Sequence, residues 1–250
     1  MKKYLLLALV AAAYPAFAED SRFSLGAGFD YSTGKYGGTT STDILYIPVV
    51  AKYETDTLTL KLTVPYISVT SLGNVVRGMG VISRSTSTRT TTQSGLGDII
   101  ATAAYVVYDA SGLLLDVAGN IKFGTASASK GLGTGQNDYS AQLDAFYTVD
   151  ATTLFATAGH KIVGVPEGIA VNNINYGTLG VRQKLDNRHA VGLMLDAAQS
   201  PTELAPGTRE LTAFITSQLS SDRKLQAGVM KGYSDASPDW GVNLMLTSYF

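Results

Sequence analysis

Apolar and polar residues alternate with a period of two along most of this chain, in segments of about ten residues. That period puts successive side chains on opposite faces of a strand. In 113–124, Leu113, Leu115, Val117, Ile121 and Phe123 fall on one face and Asp116, Ala118, Asn120 and Lys122 on the other. In 139–148, Tyr139, Ala141, Leu143, Ala145 and Tyr147 stand against Ser140, Gln142 and Asp144. In 209–219, Leu211, Ala213, Ile215 and Leu219 stand against Glu210, Thr212, Thr216 and Gln218. The end of the chain does the same, with Trp240, Val242, Leu244 and Leu246 against Gly241, Asn243 and Thr247, Met245 being the exception, and it stops on Phe250. The pattern predicts strands near 23–33, 43–53, 58–69, 97–108, 113–124, 139–148, 153–162, 174–185, 189–199, 209–219, 224–233 and 240–250.

The links between them sort by length. Those at 54–57, 109–112, 149–152, 186–188 and 220–223 are short and rich in Asp, Ser and Gly, whereas the alternate ones are mostly longer. A soluble sandwich has no reason to sort its loops, but a transmembrane barrel has short periplasmic turns and longer extracellular loops. Aromatics of the apolar parity collect at both strand ends. Tyr31, Tyr66, Phe123, Tyr139, Tyr233 and Trp240 lie at one end, and Phe23, Tyr53, Tyr105, Tyr147 and Phe250 at the other. This is the double girdle of a membrane-crossing sheet. The apolar rows carry charge or His only near an end, at Lys231 and His160. The fold class is therefore all-β: a closed antiparallel transmembrane β-barrel of about twelve strands. Pro48 and Pro65 sit inside strands, where Pro cannot donate to the ladder. They fall at nearly the same height, which predicts a shared bulge or an early end to the ladder.

The N-terminus agrees with that address. Lys2 and Lys3 precede an apolar core at 4–14 and the A-x-A site Ala16-Phe17-Ala18, the form of a secretory signal peptide. Residues 1–18 are read as signal, cleaved near Ala18, and 19–250 as the barrel of an outer membrane in a Gram-negative bacterium. No later apolar stretch has helical length. The chain has no Cys, so disulfides and thiolate chemistry are excluded. Formal charge is −1 and falls to −3 without the two signal lysines, which gives no basic character for nucleic acid. With 14 Tyr, 26 Gly and 16% charged residues, the composition suits short strands, tight turns and interfacial aromatics. The expected partners are outer-membrane lipid and lipopolysaccharide, the barrel assembly machinery and a small-molecule solute.

The polar parity brings Asp30, Asp98, Asp116, Asp144, Asp196 and Glu210 inside, with Lys52, Lys61, Lys122, Lys161, Arg182, Lys184 and the amide Asn120. Six acids facing six bases suggest ion pairs between adjacent strands, with Asp116 and Lys122 near Asp144. The pairs either fill and stiffen a narrow barrel, the reading preferred here, or line a path for polar solute. A balanced interior predicts no choice between anions and cations. The longest link, 71–95, carries Arg77, Arg84 and Arg89. It either folds into the mouth as a basic constriction or lies outside with its arginines on lipopolysaccharide phosphates. The outward reading is preferred.

Little points to catalysis. Gly131-Leu-Gly-Thr-Gly135 lacks the helix and Lys-Ser/Thr of a phosphate loop and reads as an external glycine loop. His160 near the outer end and His189 near a periplasmic turn are too far apart to share a metal. A barrel lipid hydrolase would need a Ser beside its His, and Lys161, Ile162 and Val163 follow His160. No metal, cofactor or enzymatic activity is expected. A structural or adhesin-like barrel with an occluded lumen is the alternative to a channel.

Four segments carry a family resemblance: Tyr46-Ile-Pro-Val-Val50, Leu60-Lys-Leu-Thr-Val-Pro-Tyr66, Ser94-Gly-Leu-Gly-Asp98 and Gly133-Thr-Gly-Gln-Asn-Asp138. In their order they resemble the outer-membrane transporters of the MetA-pathway-of-phenol-degradation family. The resemblance covers the first half in motif and the second only in general barrel character. It implies a secreted barrel passing small, often aromatic, compounds, with no catalytic residue to carry over. The matching Pro48, Pro65, Gly97, Asp98, Gly135 and Asp138 have the look of structural positions.

Overall fold

The computed structural model describes residues 21–72, 75–77, 80–81 and 89–250. The signal peptide and Arg84 lie outside them. The strands are β1 (Arg22–Gly34), β2 (Thr42–Glu54), β3 (Leu58–Ser71), β4 (Val75–Val76), β5 (Gly80–Val81), β6 (Thr91–Leu96), β7 (Ile99–Ala110), β8 (Leu113–Phe123), β9 (Asp138–Val149), β10 (Thr152–Ile162), β11 (Ile174–Lys184), β12 (His189–Ala198), β13 (Thr208–Ser220), β14 (Arg223–Gly232) and β15 (Trp240–Tyr249). All but β4 and β5 form one antiparallel sheet that closes on itself. Because β6 and β7 pair in turn with β3, they are two halves of one stave, and the ring has twelve.

Closure is made by β15 against β1, from Ser24↔Tyr249 to Thr33↔Trp240. The Phe250 N–H donates to the Phe23 carbonyl at 2.9 Å below that seam. The aromatic ends of the two strands meet as well: Tyr31 and Trp240 rings lie 5.6 Å apart at one rim, Phe23 and Phe250 6.1 Å apart at the other. The outward parity is as the alternation predicts. Leu60, Leu62, Val117, Leu143, Leu154, Leu179, Leu193, Ile215 and Val229 are all exposed. A continuous apolar exterior of this kind is stable against hydrocarbon, not water. A bulge between Val106 and Tyr108 pairs Tyr108 with Leu115 and turns it outward, which adds it to the lower girdle beside Tyr105.

The prolines correct one expectation. Pro48 and Pro65 are direct register partners, and the β2–β3 ladder runs past them without a shift, so there is no bulge between them. Their missing donors face the other neighbours instead. The β1–β2 ladder skips the Pro48 level, between Ala27↔Val49 and Asp30↔Tyr46. On the far side β3 leaves β7 at Thr63↔Ile100 and resumes with β6 at Tyr66↔Leu96. The carbonyl of Pro65 is still used, accepting from Gly97 N–H at 2.9 Å.

Inside, aromatic rings lie flat over glycines on the neighbouring strand. Phe155 is the partner of Gly180, Tyr176 of Gly159 and Phe214 of Gly192. A Cβ at these glycines would come within 2.1, 2.3 and 2.2 Å of the ring tips. The missing side chains let three bulky rings lie along the wall rather than across the lumen. Gly192→Ala is therefore expected to lower the unfolding midpoint, by about 1–3 kcal/mol of overpacking. Gly119→Ala, where a Cβ meets nothing within 4 Å, leaves it unchanged; heat-dependent gel migration of the purified barrel reads both. Equal midpoints for the two variants would show that the Phe214 ring and the Val181 carbonyl, 2.7 Å from the same Cβ, both yield freely.

Candidate functional site

The lumen is built by the inward parity of all twelve staves, and its charges are tiered. Nearest the outer rim, Lys122 bridges Asp98 at 3.2 Å and Asp138 at 3.0 Å. Both acids are also tied to loops: Asp98 accepts from the Ala126 N–H at 2.9 Å and Asp138 from the Gly164 N–H at 3.0 Å. Lys161, Asp30 and Glu210 face a chamber of about 320 Å³ at this level, and Thr178 donates to Asp196 at 2.6 Å. Below comes a neutral polar layer, in which Thr102 donates to Asn120 at 2.7 Å and Tyr176 to Gln142 at 2.9 Å.

A larger chamber of about 590 Å³ opens toward the periplasm, lined among others by Lys52, Lys61, Lys224, Asp116 and Asp144. At its mouth a smaller hollow of about 190 Å³ holds Arg22, Arg182, Lys184 and Arg188. Arg22 stacks 4.1 Å over the Tyr249 ring. Lys52 is paired with Glu54 at 2.8 Å. Of the lumen residues named from sequence, Lys52, Lys61, Asp116, Asn120 and Asp144 line the inner chamber, Arg182 and Lys184 its mouth, and Asp30, Lys161 and Glu210 the outer chamber, but the pairing differs in part from expectation. Asp116 is the register partner of Asp144, the neighbour expected of it. Lys122 does not neighbour Asp144; it is held by Asp98 and Asp138. Asp144 accepts from Gln142 at 2.6 Å and from Thr157, while one oxygen of Asp116 is buried without a hydrogen-bond partner. Glu54, Asp138, Lys224 and Arg22 share the inward parity and belong to the same set; strand-end placement hid Glu54, Asp138 and Arg22, and Lys224 was legible from its alternation.

The outer mouth overturns the outward reading for Arg77. Val75 is buried with Ile44, Ile67 and Val69 of the β2–β3 wall, while its neighbour Val76 packs with Val163 and Ile174 on the β10–β11 side. Consecutive residues thus touch opposite walls, and the segment bridges the mouth. The Arg77 guanidinium sits 3.8 Å over the Tyr46 ring and lines the outer chamber with Asp30 and Glu210. The sequence gives no sign of this except two valines in a Ser- and Thr-rich link. Arg89 is exposed at the foot of β6.

The four motif segments converge on this rim. Pro48 faces Pro65, a Cβ on Gly97 would lie 2.9 Å from Pro65 Cγ, one on Gly133 would lie 3.1 Å from Asp98, and Lys122 joins Asp98 to Asp138. Gly135 takes φ +70°, a conformation that favours glycine. They brace the wall and make no reactive cluster. His160, on the outside, has Asn175 as its ring partner at 2.8 Å. Among the described residues no group of three or more His, Cys, Asp and Glu is placed to hold a metal.

No family model matches the chain, and no curated protein matches it by sequence. Solved structures do match in fold. An outer-membrane channel from Pseudomonas putida F1 is similar over 95% of this chain and 98% of that one, at TM-score 0.72 and 14% identity. KdgM porin is similar over 91% and 99%, at 0.57 and 10%. NanC porin is similar over 90% and 99%, at 0.55 and 8%. The chain has the fold of outer-membrane channels.

Two predictions follow from the charge geometry. Removing the cation in Lys122→Met leaves Asp98 and Asp138 facing each other half-desolvated, with an expected loss of about 1–3 kcal/mol. Asp98→Asn in the same chain recovers part of it, and guanidinium unfolding of the two variants decides; no recovery would remove the bridge as the cause. At the periplasmic turn, Asp186 accepts from the backbone N–H groups of Arg188 at 2.6 Å and His189 at 2.7 Å. These bonds, Arg188 first and the His189 side chain next, hold its carboxyl at about 2, below the ordinary 3.8. A depressed value stabilises the fold above the ordinary range and stops doing so as pH falls through about 2. Asp186→Asn should thus unfold more easily than wild type at pH 7, the gap closing near pH 2 in a pH series of unfolding midpoints.

Proposed function

We propose that this chain is an outer-membrane channel that lets small solutes pass down their gradient. The observation that carries this reading is the polar interior: one closed wall holds two chambers of about 320 and 590 Å³. An eight-stranded barrel fills with its own side chains, whereas twelve staves leave room for solvent and solute. Ionised groups on the inner face keep that space wet. The fold likeness to outer-membrane channels supports the same reading.

Residues 1–18 direct the chain out of the cytoplasm and are removed near Ala18, and the barrel is inserted by the assembly machinery of the outer membrane. Lipopolysaccharide surrounds its outer girdle. Membership in the MetA-pathway-of-phenol-degradation family is supported by the four motif segments and by their convergence on one rim. That membership would make aromatic compounds part of the solute range. The bridging segment Val75–Arg77 sets the outer width of the path, with Arg77 facing the solute.

Stepwise conductance in planar bilayers is the expected behaviour of the purified barrel. Folded, heat-modifiable protein that inserts yet stays silent would favour the structural or adhesin-like alternative.

A further inference from the structure

The acids and bases of the lumen are balanced in number but not in place. In the outer tier, Asp98 and Asp138 share Lys122, and Arg77 and Lys161 face the same chamber as Asp30 and Glu210. In the inner chamber the matching stops. Lys52 and Lys61 are register partners, two ammonium groups side by side on adjacent strands. Lys52 lies within electrostatic reach of Lys224 on the other side. Only Lys52 is in contact with an acid, Glu54 at 2.8 Å; Asp144 acts on Lys61 and Glu54 on Lys224 from beyond contact distance. Among the described residues Lys61 and Lys224 make no salt bridge and no side-chain hydrogen bond. Asp116 and Asp144, across the same chamber, are directed at each other.

Like charges placed opposite one another in a sheet weaken it, and partly desolvated cations without partners weaken it further. The fold holds both at one level, around a space of about 590 Å³. The charge that would relieve them can come from a solute. Two ammonium groups with no carboxylate in contact leave room for two, and Val50, Ala104, Ala118 and Met245 of the same chamber give the body of such a molecule an apolar seat. Arg182, Lys184 and Arg22 continue the positive lining to the periplasmic mouth, so a released anion leaves through a favourable field.

We propose that the inner chamber is a binding site for small dicarboxylate anions, held between Lys61 and Lys224. The proposal deepens the channel reading by naming a solute class, and for passage it rests on that reading.

Glutarate and its neutral counterpart glutaramide are the probes, applied to the folded barrel in detergent and in planar bilayers. In detergent, millimolar glutarate raises the unfolding midpoint by about 2–4 °C, and glutaramide does not. The shift disappears in Lys61→Gln/Lys224→Gln and survives in Lys61→Arg/Lys224→Arg, which also controls for folding. In bilayers under a KCl gradient, chloride is favoured over potassium by about threefold or more. The preference falls to unity or reverses in Lys61→Glu/Lys224→Glu, and glutarate reduces the wild-type chloride current. No stabilisation by glutarate, or the same stabilisation in the Gln variant, overturns the site. A conducting wild type that favours potassium overturns its role in selection. A silent barrel that glutarate still stabilises would remove the channel reading and leave the binding site standing.

Discussion

Every peptide N–H and C=O that enters hydrocarbon must find its partner within the chain, because an unmade hydrogen bond there costs several kcal/mol. A sheet meets that demand only by closing. Here closure rests on the pairing of β1 with β15, carried from Ser24↔Tyr249 to Thr33↔Trp240 and sealed by Phe250 N–H on the Phe23 carbonyl. Once the ring is shut, parity has a fixed meaning around the whole circumference: odd positions of β1 meet lipid and even ones meet the lumen. The aromatic girdles, the polar interior and the sorted loops all follow from that decision.

Closure leaves the interior with a different problem. Its charges are out of bulk water but not in lipid, and the chain meets them in two ways. At the outer rim they are shared out locally, with Lys122 between two aspartates that also fasten the loops after β8 and β10. Toward the periplasm Lys52 is paired with Glu54, while Lys61 and Lys224 have no acid in contact. The outer tier therefore contributes rigidity, and the inner one holds charge available to something that is not protein. The flattened rings of Phe155, Tyr176 and Phe214 belong to the same logic, since they thicken the wall while leaving the axis clear.

The parity of nearly every strand was legible in the chain, since Leu115, Asp116, Val117 and Ala118 declare their faces one by one and no partner need be known. Contacts between strands were not, because they depend on register, and register is a property of pairs. Lys122 between Asp98 and Asp138, rather than beside Asp144, follows from Lys122↔Asp138 and from nothing local. The same holds for Phe214 over Gly192, two residues that reveal no relation along the sequence. The outward turn of Tyr108 was hidden for another reason: a single extra residue at Val107 inverts the alternation beyond it. Arg77 turned inward because Val75 and Val76, an unremarkable pair in a polar link, found apolar walls on both sides of the mouth.

The facing prolines give the wall a crease. At their level the ladder to β1 is skipped, and the ladder from β3 to β7 has ended while that to β6 has just begun. The two seams that flank the unbroken β2–β3 pair are thus thinned at one height, with Gly97 N–H on the Pro65 carbonyl as a remaining tie. The panel above that line presents Ile44, Ile67 and Val69 to the segment bridging the mouth, and its ladders to the barrel are interrupted at its lower edge. Like scored card, a cylinder so made bends first where it is cut, and here the cut lies directly beneath the part of the rim that sets the opening.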